Sequence, residues 1–201
     1  MKTNILKSIL FTALIAVTLS SCVEDDDTEL PNYTPLTFSQ DFNGADNTLL
    51  VIENWTNFAE AGTALWKFQE YSGNGYAEFT SYQSGEATNI AWMISSPITL
   101  AQNNNKKLRF EVSQSFVSST ANKLEILIST NFDGTNVTAA TWTPLDANIP
   151  GTDAEYFLFM DSGEIDLSSY SGNAHIAFKV TGSGTNTSLD GSYQIDSVRI
   201  Y

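Results

Sequence analysis

The feature that most limits what this chain can fold into is alternation. From Leu36 onward, apolar and polar residues exchange places with a period of two, in segment after segment. A strand points successive side chains to opposite faces, so such a segment buries one face and wets the other. The first segment runs Leu36, Phe38, Gln40, Phe42. Leu108, Phe110 and Val112 repeat the pattern, as do Leu124, Ile126 and Ile128, and Ala174, Ile176, Phe178 and Val180. Turn-forming clusters lie between them: Ser72-Gly73-Asn74-Gly75, Asp133-Gly134, Pro150-Gly151 and Gly182-Ser183-Gly184. No stretch keeps a helical period. About ten short strands at this spacing predict an all-β fold, an antiparallel β-sandwich of jelly-roll type with its first and last strands side by side. Tyr156-Phe157-Leu158-Phe159-Met160 is apolar in both phases, which predicts a central strand covered on both sides.

The chain before Leu36 has a different character. Lys2 and Lys7 precede an apolar run over residues 9–19 that is too short for a permanent transmembrane helix and ends in small residues, as a cleavable export signal does. Leu19-Ser20-Ser21-Cys22 resembles the lipobox of bacterial lipoproteins. That resemblance implies cleavage before Cys22 and acylation of its thiol and new amino group, and more than one acyl chain gives stable membrane attachment. Residues 1–21 are then a signal peptide, residues 22–35 the lipidated cysteine and an acidic flexible tether, and residues 36–201 a single domain. Within the tether, Glu24-Asp25-Asp26-Asp27 repel one another and Pro31 and Pro35 oppose helix. An acidic run after the lipidated cysteine also resembles the signal that sends lipoproteins of the Bacteroidetes to the outer face of the outer membrane. The expected location is therefore the cell surface.

Charge excludes some partners. Loss of residues 1–21 removes Lys2 and Lys7 and no acid, which moves the net charge from −14 to −16. Such a chain repels phosphate backbones, so no nucleic acid is expected, and charge does not draw it to anionic head groups. Cys22 is the only cysteine, so no disulfide supports the domain and its core must do so.

Trp92-Met93-Ile94-Ser95-Ser96-Pro97-Ile98-Thr99-Leu100, followed by Leu108-Arg109-Phe110-Glu111-Val112, resembles the core of choice-of-anchor J domains. Leu124-Glu125-Ile126-Leu127-Ile128-Ser129-Thr130, Ile165-Asp166-Leu167-Ser168-Ser169-Tyr170 and the closing Tyr193-Gln194-Ile195-Asp196-Ser197-Val198-Arg199-Ile200 continue the resemblance in order. It implies a sandwich fold and says little about activity, since one sandwich hosts many functions.

Asp196 is the sharpest local anomaly. Its phase coincides with Val198 and Ile200, so its carboxylate needs a pairing partner, a cation, or a bulge at Asp196-Ser197. Jelly-roll domains resembling this one often hold a structural calcium where first and last strands meet, which implies a metal site of Asp196 with Asp41 or Asn43 and loop carbonyls. Asp161, Glu164 and Asp166 around Gly163 lack the spacing of a helix-loop-helix calcium loop and are expected on a solvated edge. His175, the only histidine, is out of phase with Ile176 and Phe178 and is expected on an exposed face, where it supports neither a zinc site nor a triad. No phosphate-cradling glycine loop is present.

Aromatics carry the binding signal. Trp66 and Trp92 share phases with Phe68 and Ile94 and are expected in the core. Tyr71, Tyr76 and Tyr82 sit in or beside Gly- and Ser-rich loops with Asn74, and are the expected ligand contacts. The function that follows is a non-catalytic surface binding or adhesion module, with carbohydrate as the foremost ligand. A structural lipoprotein that binds another envelope protein is one alternative, and a carboxylate-dependent glycoside hydrolase is the other.

Overall fold

The period-two segments become strands that stack as two antiparallel sheets. The computed structural model describes residues 35–101 and 105–201; the export signal, Cys22 and the tether up to residue 34 lie outside the described residues. Fourteen strands are present among the described residues. In chain order they are β1 (Phe38–Gln40), β2 (Thr48–Leu49), β3 (Thr56–Ala61), β4 (Lys67–Tyr71), β5 (Asn74–Thr80), β6 (Asn89–Ile94) and β7 (Ile98–Leu100). Then come β8 (Lys107–Ser115), β9 (Lys123–Ser129), β10 (Thr143–Pro144), β11 (Met160–Asp161), β12 (Ile165–Asp166), β13 (Gly172–Gly182) and β14 (Ser192–Ile200). One 3-10 turn, Val137–Ala139, interrupts them.

The eight-stranded sheet has the order β11-β8-β14-β5-β4-β2, with β1 also on β14 and β12 also on β8; the six-stranded sheet runs β10-β9-β13-β6-β3, with β7 also on β13. First and last strands lie side by side, as expected of a jelly roll: Phe38 faces Ile200 and Gln40 faces Val198. The core fills the space between the sheets. Phe110 meets Phe178 edge to face at 5.2 Å, amid Leu108, Val112, Ile126, Ile128, Ile176 and Val180, all buried. Trp66 is buried against Phe79 in the same core, as its phase predicts.

The β14 anomaly resolves as a bulge. Tyr193 and Ile195 point into the core, but so do Val198 and Ile200, so the inward phase changes parity between them. The register against β8 shifts between Asp196 and Arg199, and Ser197 takes φ 52°. The extra residue turns Asp196 to the outer face beside Gln194.

The six-stranded sheet also buries its outer face. Trp92, Ile94, Leu127, Phe132, Val137 and Ala177 form a second cluster there, against Trp142. Trp92 is thus buried with Ile94, but beneath the 130–142 loop and not between the sheets. Lys179 lies 4.5 Å over its ring, and its indole N–H donates to Glu60 at 2.8 Å. His175 shares this face, and here the expectation of an exposed histidine fails. Its ring is only 8 % exposed, set edge-on to Phe132, with Nδ1 2.8 Å from the Ser95 carbonyl oxygen. The 130–142 loop covers a face that alternation alone marks as solvated.

Candidate functional site

With one sheet covered, the outer face of the eight-stranded sheet is where polar side chains converge, half-buried at Glu78 and Thr80 and buried at Ser113, Ser115, Ser192 and Gln194. β5 presents Tyr76, Glu78 and Thr80 there, β14 presents Ser192 and Gln194, and β8 presents Ser113 and Ser115. Register aligns these into rows, with Gln194 between Glu78 and Ser113 and Ser192 between Thr80 and Ser115. The rows are hydrogen-bonded. Gln194 Nε2 donates to Glu78 Oε2 at 2.7 Å and to Ser192 Oγ at 2.7 Å, while its Oε1 accepts from Ser113 at 2.7 Å. Ser115 and Ser192 hydroxyls lie 2.6 Å apart. Glu78 Oε1 accepts from Gln69 at 3.3 Å. The result is a fixed polar floor.

Aromatic rings stand over that floor. The segment expected to be a buried central strand, Tyr156 to Met160, is instead an exposed strap along the β8 edge. Only Met160 pairs with β8, at Val112. Gln114, at the end of β8, secures the strap: its Nε2 donates to the Ala154 carbonyl at 2.7 Å, and its own carbonyl accepts from the Phe157 N–H at 2.9 Å. Tyr156 packs on Phe116 with centroids 4.7 Å apart, and Phe159 reaches across to Tyr76 at 5.6 Å. Gly191 lets this corner close, since a Cβ there would meet the Val117 nitrogen at 2.6 Å. Phe116 and Phe157 both take positive φ, 58° and 59°, a conformation that costs a bulky residue roughly 1–2 kcal/mol. Such strain is usual where side chains are held for binding rather than packing.

Two cavities result, and they share Tyr156 and Phe157. One, of about 670 Å³, lies among Glu78, Thr80, Tyr82, Ser115, Phe116 and Ser192, with Asp190 at its margin. The other, of about 570 Å³, lies among Tyr71, Asn74, Tyr76 and Phe159. A third, of about 260 Å³, continues from Glu78, Thr80 and Tyr82 towards Lys67 and Gln69. Together they form one groove across the sheet. Phe116 is 62 % exposed, Tyr82 60 %, Tyr156 49 % and Phe157 48 %. A contiguous set of large exposed apolar rings marks a contact surface.

All four residues expected to touch ligand line this groove. Tyr71 and Asn74 are exposed and Tyr82 lies at the far end, while Tyr76 is buried beneath Phe159. Burial pushes the Tyr76 phenol up from its ordinary value, and the negative charges of Glu78 and Asp46 push it further. Phe116, Tyr156, Phe157 and the polar floor were not picked out in the sequence. The turn-residue cluster Thr152-Asp153 before Tyr156 was the available sign that the apolar run is a loop and not a strand.

Asp196 stands at the bulge, while Asp41 and Asn43 each lie against other partners. Asp41 Oδ1 accepts from Arg199, and Asn43 packs against Gly75. Asp196 is buried, with Oδ1 lacking any protein donor and Oδ2 accepting from Ser197 at 3.3 Å. Among the described residues no three acidic, histidine or cysteine side chains converge as a metal cluster. A cation here would need amide and carbonyl oxygens beside the unpartnered Asp196 Oδ1, and would have to draw Asp41 from its ion pair with Arg199. The other acidic group is engaged. Asp161 pairs with Arg109, Asp166 with Lys107, and Glu164 accepts from the Tyr201 hydroxyl at 2.7 Å. The hydrogen bond from Arg109 is the main cause holding the Asp161 carboxyl below its usual range.

No protein-family model matches the chain, and no curated protein matches it. Solved structures do. A cleaved adhesin domain of Lys-gingipain from Porphyromonas gingivalis superposes with a TM-score of 0.50 at 17 % identity, over 83 % of this chain and 98 % of that one. Another cleaved adhesin domain of Lys-gingipain gives a TM-score of 0.53 at 13 % identity, over 82 % and 98 %. At these identities the likeness is one of fold. This chain has the jelly-roll sandwich of those adhesin domains.

Proposed function

We propose that this chain is a lipid-anchored protein of the outer membrane surface whose domain holds an extended glycan in the aromatic groove, without catalysis. The observation that carries the reading is the groove itself: exposed rings of Tyr82, Phe116, Tyr156 and Phe157 above a hydrogen-bonded floor. Aromatic faces pack on the C–H faces of sugar rings while fixed polar groups meet the hydroxyls. The cavities follow one another across the sheet, which suits a chain of several sugars rather than a single one. Glu78, the carboxylate of the floor, already accepts through both oxygens, which suits holding a ligand more than passing a proton. Cys22 would supply the anchor.

The test is retention on immobilised polysaccharides by the mature domain and by a Phe116→Ala, Tyr156→Ala double variant. Retention of the wild type and its loss in the variant are expected. Lack of retention on every glycan, with the domain folded, would favour an envelope-protein partner instead. Release of new reducing ends during incubation would restore the hydrolase.

Calcium belongs to the same proposal. Asp196 Oδ1, Asp41 and Asn43, with loop carbonyls, would hold it and tie β1 to the β14 bulge. Calcium is expected to raise the thermal midpoint and chelator to lower it again; an unchanged midpoint removes the ion.

A further inference from the structure

The groove's charge is as marked as its shape. Glu78 lies on the floor and Asp190 lines the same cavity. Lys67 is the one cationic residue lining any of the three cavities among the described residues, and its Nζ already donates to Asn47 Oδ1 at 3.0 Å. Of the domain's six other lysines and arginines none lines these cavities, and five are held in ion pairs with acids. Lys107, Arg109 and Arg199 pair with Asp166, Asp161 and Asp41, and Lys123 and Lys179 with Glu125 and Glu60. A uronate or sulfate entering the groove would meet two carboxylates, Glu78 and Asp190, against one ammonium, Lys67, which stands opposite Glu78 in the β4–β5 register, inside a molecule of strongly negative net charge. Neutral hydroxyls meet no such cost. They find acceptors in Glu78 and Asp190 and a hydroxyl in Thr80, all three half-buried.

We infer that the groove selects neutral glycan chains and rejects those carrying carboxylate or sulfate. This rests on the glycan-binding reading above and deepens it. The geometry admits the same rings and linkages in both cases, so charge is what separates them.

The experiment uses matched pairs that differ in charge and little else: fully methyl-esterified polygalacturonan against polygalacturonan, and linear β-linked mannan against polymannuronate. The whole folded domain is titrated at about 20 mM salt and again at about 500 mM, because exposed charges are screened at the higher value. At low salt the neutral member of a pair is expected to bind at least about tenfold more tightly, with the ratio narrowing as salt rises. Asp190→Asn is expected to narrow the ratio at low salt in the same way. If a uronate polymer binds as tightly as its neutral counterpart at low salt, the selectivity is overturned while glycan binding stands. A ratio that ignores both salt and Asp190→Asn overturns charge as its cause. If neither member of any pair binds, the glycan reading falls and the inference falls with it.

Discussion

Replacement of Phe157 by glycine separates binding from stability. A wholly covered aromatic side chain buries about 150–250 Å², and Phe157 is 48 % exposed, which leaves roughly 70–120 Å² available to a ligand. A sugar ring covers one side, about half of that, and at about 25 cal/mol per Å² the contact is worth roughly 1–1.5 kcal/mol. The dissociation constant of the retained polysaccharide should therefore rise about five- to tenfold in Phe157→Gly. Stability should fall only slightly. The variant loses packing from the buried half of the ring, but it also releases the cost of holding Phe157 at φ 59°, and glycine adopts that backbone freely. The lost packing is worth about 2–3 kcal/mol against about 1–2 released, so the thermal midpoint should fall by no more than about 4 °C. Calorimetric titration and a thermal melt on the same samples decide it. A melt lowered by about 10 °C with binding intact would show that the ring is core and that the groove is not the site.

Other expectations follow from the same contacts. Gln194→Ala removes the hub of the polar floor and leaves Ser113 and Glu78 short of partners, so denaturant titration should show a loss of about 1–3 kcal/mol. A gain in stability would mean that the hydrogen-bonded rows are not as placed here. Tyr193 is buried and its phenol is pushed up to about 12 by burial. A group whose folded value is raised keeps its contribution below the unfolded value, about 10, and loses it as pH climbs through the folded one. Tyr193→Phe should therefore flatten the decline in stability above about pH 10. At neutral pH it should cost about 0.5–1.5 kcal/mol for the lost hydrogen bond to the Asn122 carbonyl; an unchanged alkaline limb would contradict this. Cys22→Ala should release the protein from the membrane fraction of cells that express the full chain, and retention there would remove the anchor.

Much of the architecture was legible in sequence because alternation is a direct record of which face is buried. Phe110, Val112, Ile176 and Phe178 announced the core, and the parity conflict at Asp196 announced a bulge. The misreadings share one cause. His175 and the segment from Tyr156 to Met160 are governed by long loops, and period two carries no information about what a loop covers. The 130–142 loop buries a histidine that the pattern exposes, and the strap exposes rings that the pattern buries. Tyr71, Asn74 and Tyr82 were recoverable from local composition, since loop aromatics beside glycine have little core to reach. Their convergence with Phe116 and Tyr156 was not, because it depends on β14 lying between β5 and β8.

The central claim is that ligand lies on the outer face of the eight-stranded sheet. Backbone amide resonances followed during titration with a neutral oligosaccharide taken from a retained polysaccharide test it most directly. The largest shifts are expected at Glu78, Thr80, Ser115, Phe116, Phe157 and Ser192. Shifts centred on Phe132, Trp142 and Lys179, across the opposite sheet, would contradict it.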